Sequence, residues 1–202
     1  MAVVSAVPVD PYDDFANANP NGVWSYGHTG TLGGSLTLFT DFFVDPDEDA
    51  RLQQAAWRES SLDDFLGIYK TFTSGTLVLH PGANGQYSVL RFTVPFAATY
   101  DVNGVFSGFD TASTDVHVLL NGISLFDSSI AGLGSTQLFT QSQQLSAGST
   151  LDFVVGAGAS NFNDSTALNL QLNAVPEPGT IGLMVAGLIG VFSSVRLRKQ
   201  IR

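Results

Sequence analysis

Ala167-Leu168-Asn169-Leu170-Gln171-Leu172-Asn173-Ala174 is the stretch whose reading decides the fold. Leu168, Leu170 and Leu172 alternate with polar neighbours, so an extended chain puts the three leucines on one face. The same period of two returns at Leu151, Phe153 and Val155, and at Val116, Val118 and Leu120. Turn dipeptides punctuate these segments: Asn84-Gly85, Asn103-Gly104, Asn121-Gly122 and Ala147-Gly148. Strands are expected over 36–42, 76–79, 87–92, 99–106, 115–120, 137–143, 150–155 and 167–174. Short half-buried strands at this spacing predict an all-β chain, a β-sandwich of jelly-roll type.

One segment reads differently. Asp45-Pro46-Asp47-Glu48-Asp49 gathers acids where a helix N-terminus favours them, and Leu52, Ala55, Ala56 and Glu59 follow at helical spacing. One short helix is expected over 46–58. Asp45, Asp47 and Asp49 also open like a calcium loop, but its sixth and twelfth positions would be Ala50 and Ala56 rather than Gly and Glu. The EF-hand reading fails there.

The chain has 202 residues, enough for one domain with a real core. Setting aside Glu177 and the four cations of the last seven residues leaves 17 acidic and 4 basic residues, a net charge of −13. Such a body repels nucleic acid and anionic surfaces, so no nucleic-acid partner is expected. With no cysteine there are no disulfides, zinc thiolates or cysteine nucleophiles.

The C-terminal stretch is of another kind. Val175-Pro176-Glu177-Pro178-Gly179 precedes an uncharged apolar run over 180–195, and Arg196, Arg198, Lys199 and Arg202 close the chain. The two prolines disfavour helix and make 175–179 an extended linker. As a helix the run would be roughly 24 Å long, short against a hydrocarbon core of about 30 Å. A single transmembrane helix is expected, with the cations on the cytoplasmic side and the body outside. Gly182, Ala186, Gly190 and Ser194 recur every fourth residue. They fit either a helix–helix contact or a segment simply rich in small residues.

Val-Pro-Glu-Pro, a short apolar run and an Arg-rich end resemble the PEP-CTERM sorting signal of exopolysaccharide-producing bacteria. The resemblance covers roughly 175–202. It implies export across the inner membrane, retention by the tail, and cutting near Pro176-Glu177-Pro178 by an exosortase. An exported chain should open with a basic stretch and an apolar one, whereas this one opens Met1-Ala2-Val3-Val4-Ser5-Ala6. Residues 1–9 are therefore expected to be either the remnant of a signal peptide whose start lies upstream or a disordered N-terminus. The β-sandwich domain is expected over 10–174, the linker over 175–179, and the helix with its basic cytoplasmic end over 180–202.

The body carries a second resemblance. His80-Pro81-Gly82, the segment 87–92 with Arg91, Val94-Pro95, 99–106, and 115–121 with Gly122 are similar to carbohydrate-binding-module-like sandwiches. Ala147-Gly148-Ser149, Leu151-Asp152-Phe153-Val154-Val155 and Asn163-Asp164-Ser165-Thr166 extend it over roughly 76–172. Many such sandwiches hold a structural calcium, which here would fall to Asp164 and Asn161. The other reading of those residues is Asx turns before a strand.

Catalytic signals are sparse. His28, His80 and His117 show no metal-binding helix spacing. His117, between Val116 and Val118, should face solvent, and His80 should anchor a loop. No Gly-x-Ser-x-Gly elbow occurs. Asp13-Asp14 and Asp63-Asp64 are adjacent, so their carboxylates diverge in an extended chain. Trp24 and Tyr26 lie two apart and share a face if extended; with Trp57 they would make a stacking platform for sugar rings, or else fill the core.

Three functional readings follow. The first is a non-enzymatic surface or matrix protein, sorted and cut through its tail, whose body binds extracellular polysaccharide. The second is a structural matrix protein with no specific ligand. The third is a glycan hydrolase using loop carboxylates such as Glu59 or Asp64.

Overall fold

The computed structural model describes residues 8–45, 54–72, 74–158 and 162–175. Its strands are β1 (Trp24–Thr29), β2 (Thr37–Leu38), β3 (Asp41–Asp45), β4 (Gln54–Arg58), β5 (Gly67–Thr71), β6 (Thr76–His80) and β7 (Tyr87–Thr93). They continue as β8 (Ala98–Gly108), β9 (Thr114–Leu120), β10 (Ile123–Ile130), β11 (Thr136–Leu145), β12 (Thr150–Ala157) and β13 (Thr166–Val175). Two sheets result, one in the order β10-β9-β12-β7-β1-β2 and the other β11-β8-β13-β6-β5-β4-β3. From β6 to β13 the chain crosses between the sheets in jelly-roll order. All named pairings are antiparallel, which lets each sheet bury one face and leave the other to water.

The expected alternation is what closes the sandwich. Leu168, Leu170 and Leu172 of β13, Val116 and Val118 of β9, and Leu151, Phe153 and Val155 of β12 all enter one core. Aromatic rings join the two sheets through it. Phe92 of β7 meets Tyr100 of β8 at 5.8 Å between ring centres, Phe139 of β11 meets Phe153 of β12 at 5.8 Å, and Phe126 of β10 meets Phe139 at 5.6 Å. Edge-to-face and tilted pairs of this kind add about 0.5–1.5 kcal/mol each beyond their buried area.

Residues 54–58 correct the helix expectation. They form β4, paired on one side to β3 and on the other to β5, with Ala55 and Trp57 turned into the core. Two ladders of backbone hydrogen bonds outweigh the helix preference of a short alanine pair. The rest of the expected helix, 46–53, lies outside the described residues. No described residue is helical.

The segment before β1 is sewn to the body. Val9 exchanges two backbone hydrogen bonds with Leu172, at 2.9 and 3.1 Å, and so extends the sheet beside β13 where β6 has ended. Asn19 donates to the carbonyls of Tyr26 and Phe39 and accepts from the Tyr26 amide. Phe15 reaches the core and packs edge-on against Tyr26 at 4.9 Å. On the outer face of the six-stranded sheet, Val89, Leu119 and Val154 form a second small cluster under Leu36. The 30–36 loop covers it, coming so close to the β9–β10 turn that a Cβ on Gly33 would lie 2.6 Å from the Gly122 carbonyl oxygen.

Gly104 makes room for the ring of Phe139 directly across the ladder; a Cβ there would fall 2.2 Å from the ring. Phe106, Phe126 and Phe153 surround Phe139, so it has nowhere to go. Gly104→Ala should cost about 1–3 kcal/mol of stability by overpacking. Adding Phe139→Leu should recover part of that loss in denaturant unfolding. A double variant no more stable than Gly104→Ala would refute this packing account.

Candidate functional site

Three strands carry the candidate face. On the outer side of the seven-stranded sheet, the register aligns Thr140 of β11, Asn103 of β8 and Gln171 of β13 in one row. The next row is Leu138, Val105 and Asn169. These are the polar partners of the core alternation: the leucines of β13 go in, so Asn169 and Gln171 go out. The N-terminal segment, pinned by Val9, borders them with Asp10, Pro11 and Tyr12. A groove of about 340 Å³ lies between. The Tyr12 hydroxyl donates to the Thr71 carbonyl at 3.3 Å, and the Lys70 ammonium sits 4.4 Å from the centre of its ring.

Chemically the groove offers uncharged amides, a hydroxyl, one carboxylate and apolar surface from Leu138, which is 71% exposed. Amides donate and accept at once, which suits hydroxyl groups. The sequence reading missed this face because it treated these amides as background polarity. The available signal was their neutrality on an acidic protein: Asn103 in β8 and Asn169, Gln171 and Asn173 in β13.

The expected aromatic platform is corrected by burial. Trp24 and Tyr26 are 0% exposed and Trp57 7% exposed, all within the core. Tyr26 stacks on Trp57 across the sheets at 6.4 Å and Trp24 packs on Phe92 at 5.3 Å. The indole nitrogens donate to Asp14 and to the Ala16 carbonyl, holding the N-terminal segment rather than a ligand. Burial, with the Asp14 charge, pushes the Tyr26 phenol far above its ordinary pKa.

Asp164 is buried, its side chain 1% exposed, with Oδ1 3.1 Å from Nε2 of His80. The other ring nitrogen of His80 donates to the Pro81 carbonyl at 2.7 Å, so the histidine anchors this loop end as expected. Neither Asp164 oxygen makes a well-formed hydrogen bond. Burial pushes its carboxyl pKa up; the His80 charge opposes that, and Asp63 and Asp110 add to it. A calcium ion takes six to eight oxygens. Among the described residues no group of three or more His, Cys, Asp or Glu side chains is placed to hold a metal. Asn161 lies outside the described residues.

His117 is not solvent-facing. It does point away from the core, but Asp127 of β10 and Asp115 of its own strand close over it. Its Nδ1 lies 2.6 Å from Asp127 Oδ1 and its Nε2 2.9 Å from Asp115 Oδ2. Both ring nitrogens donate to carboxylates, as only the charged imidazolium can. Burial works against that charge, yet the hydrogen bonds to Asp115 and Asp127 prevail and raise its pKa. Ser124 and then His117 hold the Asp127 carboxyl below its ordinary value. On the same face Arg91 grips Asp152 through two bonds, at 2.6 and 2.8 Å. Glu59 is held by Thr40 and Ser61, and the Asp64 carbonyl accepts from Arg58.

Residues 174–199 match the PEP-CTERM protein-sorting motif. The match takes in Val175, Pro176, Glu177, Pro178, Arg196, Arg198 and Lys199, and stops short of Arg202. Ala174 and Val175 end β13, opposite Tyr100 and Thr99; the remainder of the motif and the apolar run lie outside the described residues. No helix among the described residues is long and apolar enough to cross a membrane.

No curated protein matches the chain. Among solved structures, a family 22 xylan-binding domain is 10% identical and covers 76% of this chain and 87% of its own, with a TM-score of 0.40. A family 29 carbohydrate-binding module is 9% identical over 84% and 93%, with a TM-score of 0.39. A family 36 module of a xylanase from the hindgut metagenome of Trinervitermes trinervoides is 13% identical over 50% and 78%, with a TM-score of 0.35. Likeness at this level concerns the two-sheet architecture and says nothing of a ligand.

The His117 clamp gives a pH prediction. Its folded pKa lies above the unfolded value, so its stabilisation is complete below about pH 6.5. That stabilisation is lost as pH rises through the folded value. Melting temperature should therefore fall on the alkaline side, and His117→Gln should remove that part of the slope. Identical slopes in the two proteins would overturn the assignment.

Proposed function

We propose that this chain is an exported surface protein, processed by an exosortase at its Pro176-Glu177-Pro178 tail, whose body binds a neutral extracellular polysaccharide. The groove on the outer face of the seven-stranded sheet carries the ligand reading. It lines a shallow channel with Asn103, Asn169, Gln171 and Thr140, groups matched to sugar hydroxyls, beside the apolar surface of Leu138. The net charge of −13 on the body disfavours anionic polymers, which narrows the class to neutral glycans. The role is binding rather than catalysis: the groove has one carboxylate, Asp10, where glycoside hydrolysis uses a pair facing the scissile bond. In this reading the apolar run holds the protein at the inner membrane, body outside, until the tail is cut and the body passes to the surface or matrix.

Two experiments test it. The full chain should bind neutral polysaccharide saturably in calorimetry. Asn103→Ala with Gln171→Ala removes two hydrogen-bonding groups at about 1 kcal/mol each, so affinity should fall more than tenfold. Both side chains are exposed, so the fold is kept. Absent binding would leave a structural matrix protein, and binding untouched by the double variant would move the site elsewhere. Separately, replacing Glu177 and Pro178 with alanine should leave an uncut, membrane-retained form in cells. Unchanged release into the medium would sink the processing claim.

A further inference from the structure

A β-sandwich has four sheet edges, and an unguarded edge pairs with other strands. Three edges here are guarded. β2 is two residues long. β3 begins and ends with aspartate. β10 carries Asp127 and breaks register between Ser124 and Phe126. β11 has none of these defences. Its ten residues, Thr136–Leu145, include no charge, no proline and no glycine, and they pair with β8 in unbroken register.

The free side of β11 can be assigned. The Gly108 amide donates to the Ser135 carbonyl at 2.9 Å, so odd-numbered residues turn their backbone groups toward β8. The even-numbered residues Thr136, Leu138, Thr140, Ser142 and Gln144 then turn their amides and carbonyls outward. All five are exposed.

We infer that β11 is a self-association edge, on which a second copy of this chain pairs antiparallel across a two-fold axis at Thr140. That register sets Thr140 against Thr140, Leu138 against Ser142 and Thr136 against Gln144. It uses the five outward residues of each copy in about ten backbone hydrogen bonds. It also keeps outer face against outer face, as a continuous sheet requires. Charge argues for a second copy as the occupant. Two copies of so acidic a body repel across most surfaces, but β11 brings no like charges together. Asp101, on the adjoining strand, would stand three strand spacings across and four residues along from its mate, roughly 20 Å. That exceeds the screening length of about 8 Å.

A ten-residue edge is smaller than the roughly 800 Å² per partner of a standard interface, so the pairing is weak in dilute solution and favoured by crowding. Because Thr140 and Leu138 also line the groove, pairing would set two grooves edge to edge in one fourteen-stranded sheet. The inference itself does not depend on the glycan reading.

The chain has no cysteine, which allows a direct test. Thr140→Cys in the full chain should give a disulfide dimer on mild oxidation, since an opposed pair spaces its Cα atoms by about 5.5 Å. Ser129→Cys on β10 serves as the control and should stay monomeric. Sedimentation of the unmodified chain should show mass rising with concentration. Thr140→Lys, an exposed change that leaves the β8 ladder intact, should weaken association at least tenfold with an unchanged melting temperature. Cross-linking at Thr140 no better than at Ser129 would overturn the inference. So would association that Thr140→Lys leaves unchanged, as expected for dimers formed through the tail or another face.

Discussion

The dry contact between two inward-facing rows of side chains is what the rest of this molecule depends on. No disulfide is available, and no described residue is helical. The two sheets are therefore held chiefly by packing, with aromatic rings as the largest pieces; buried hydrogen bonds from Ser88 to the Gly67 carbonyl and between the hydroxyls of Thr114 and Thr166 also cross between them. Phe139 meets Phe126 and Phe153 from the opposite sheet, Tyr100 meets Phe92, and Trp57 meets Tyr26. Once these rows are committed inward, the period of two sends every other residue outward. The amides of the groove stand where they do because leucines stand between them.

Strands with polar residues in their outer row were the legible ones. In β13 Asn169 and Gln171 face water between the leucines. β9 and β12 are buried on both faces, but Asp115 and His117 in one and Asp152 in the other still mark the outer row. β1 was illegible for a different reason. All six of its residues are buried, since the N-terminal segment and a loop cover what the core does not. β10 sits at an edge with a register break, and its exposure pattern carries no simple period. β4 read as a helix because acids precede it and Leu52, Ala55, Ala56 and Glu59 fall at helical spacing, a pattern that neighbouring strands overrule. At the candidate site, legibility failed by residue type. Aromatics drew attention and proved to be core, whereas asparagine and glutamine were discounted and form the open face. His117 shows a third kind of miss: its direction was right, but Asp127 is brought over it by the β9–β10 register, which composition does not reveal.

In the proposed function body and tail divide the labour. The sorting motif would set where the chain is delivered, and the body what it meets there. The join between them is abrupt. The matched motif begins at 174, while β13 runs through Val175, so its first two residues belong to the sheet.

That overlap has a mechanical consequence. β13 lies between β8 and β6, and all ten of its residues are in register with β8. Tension entering the body at Val175 pulls lengthwise along this interior strand. It loads the β8 ladder in shear, many hydrogen bonds together, rather than peeling an edge strand open one bond at a time. A body gripped from outside and held from behind would transmit such a pull through the stiffest line in its sheet.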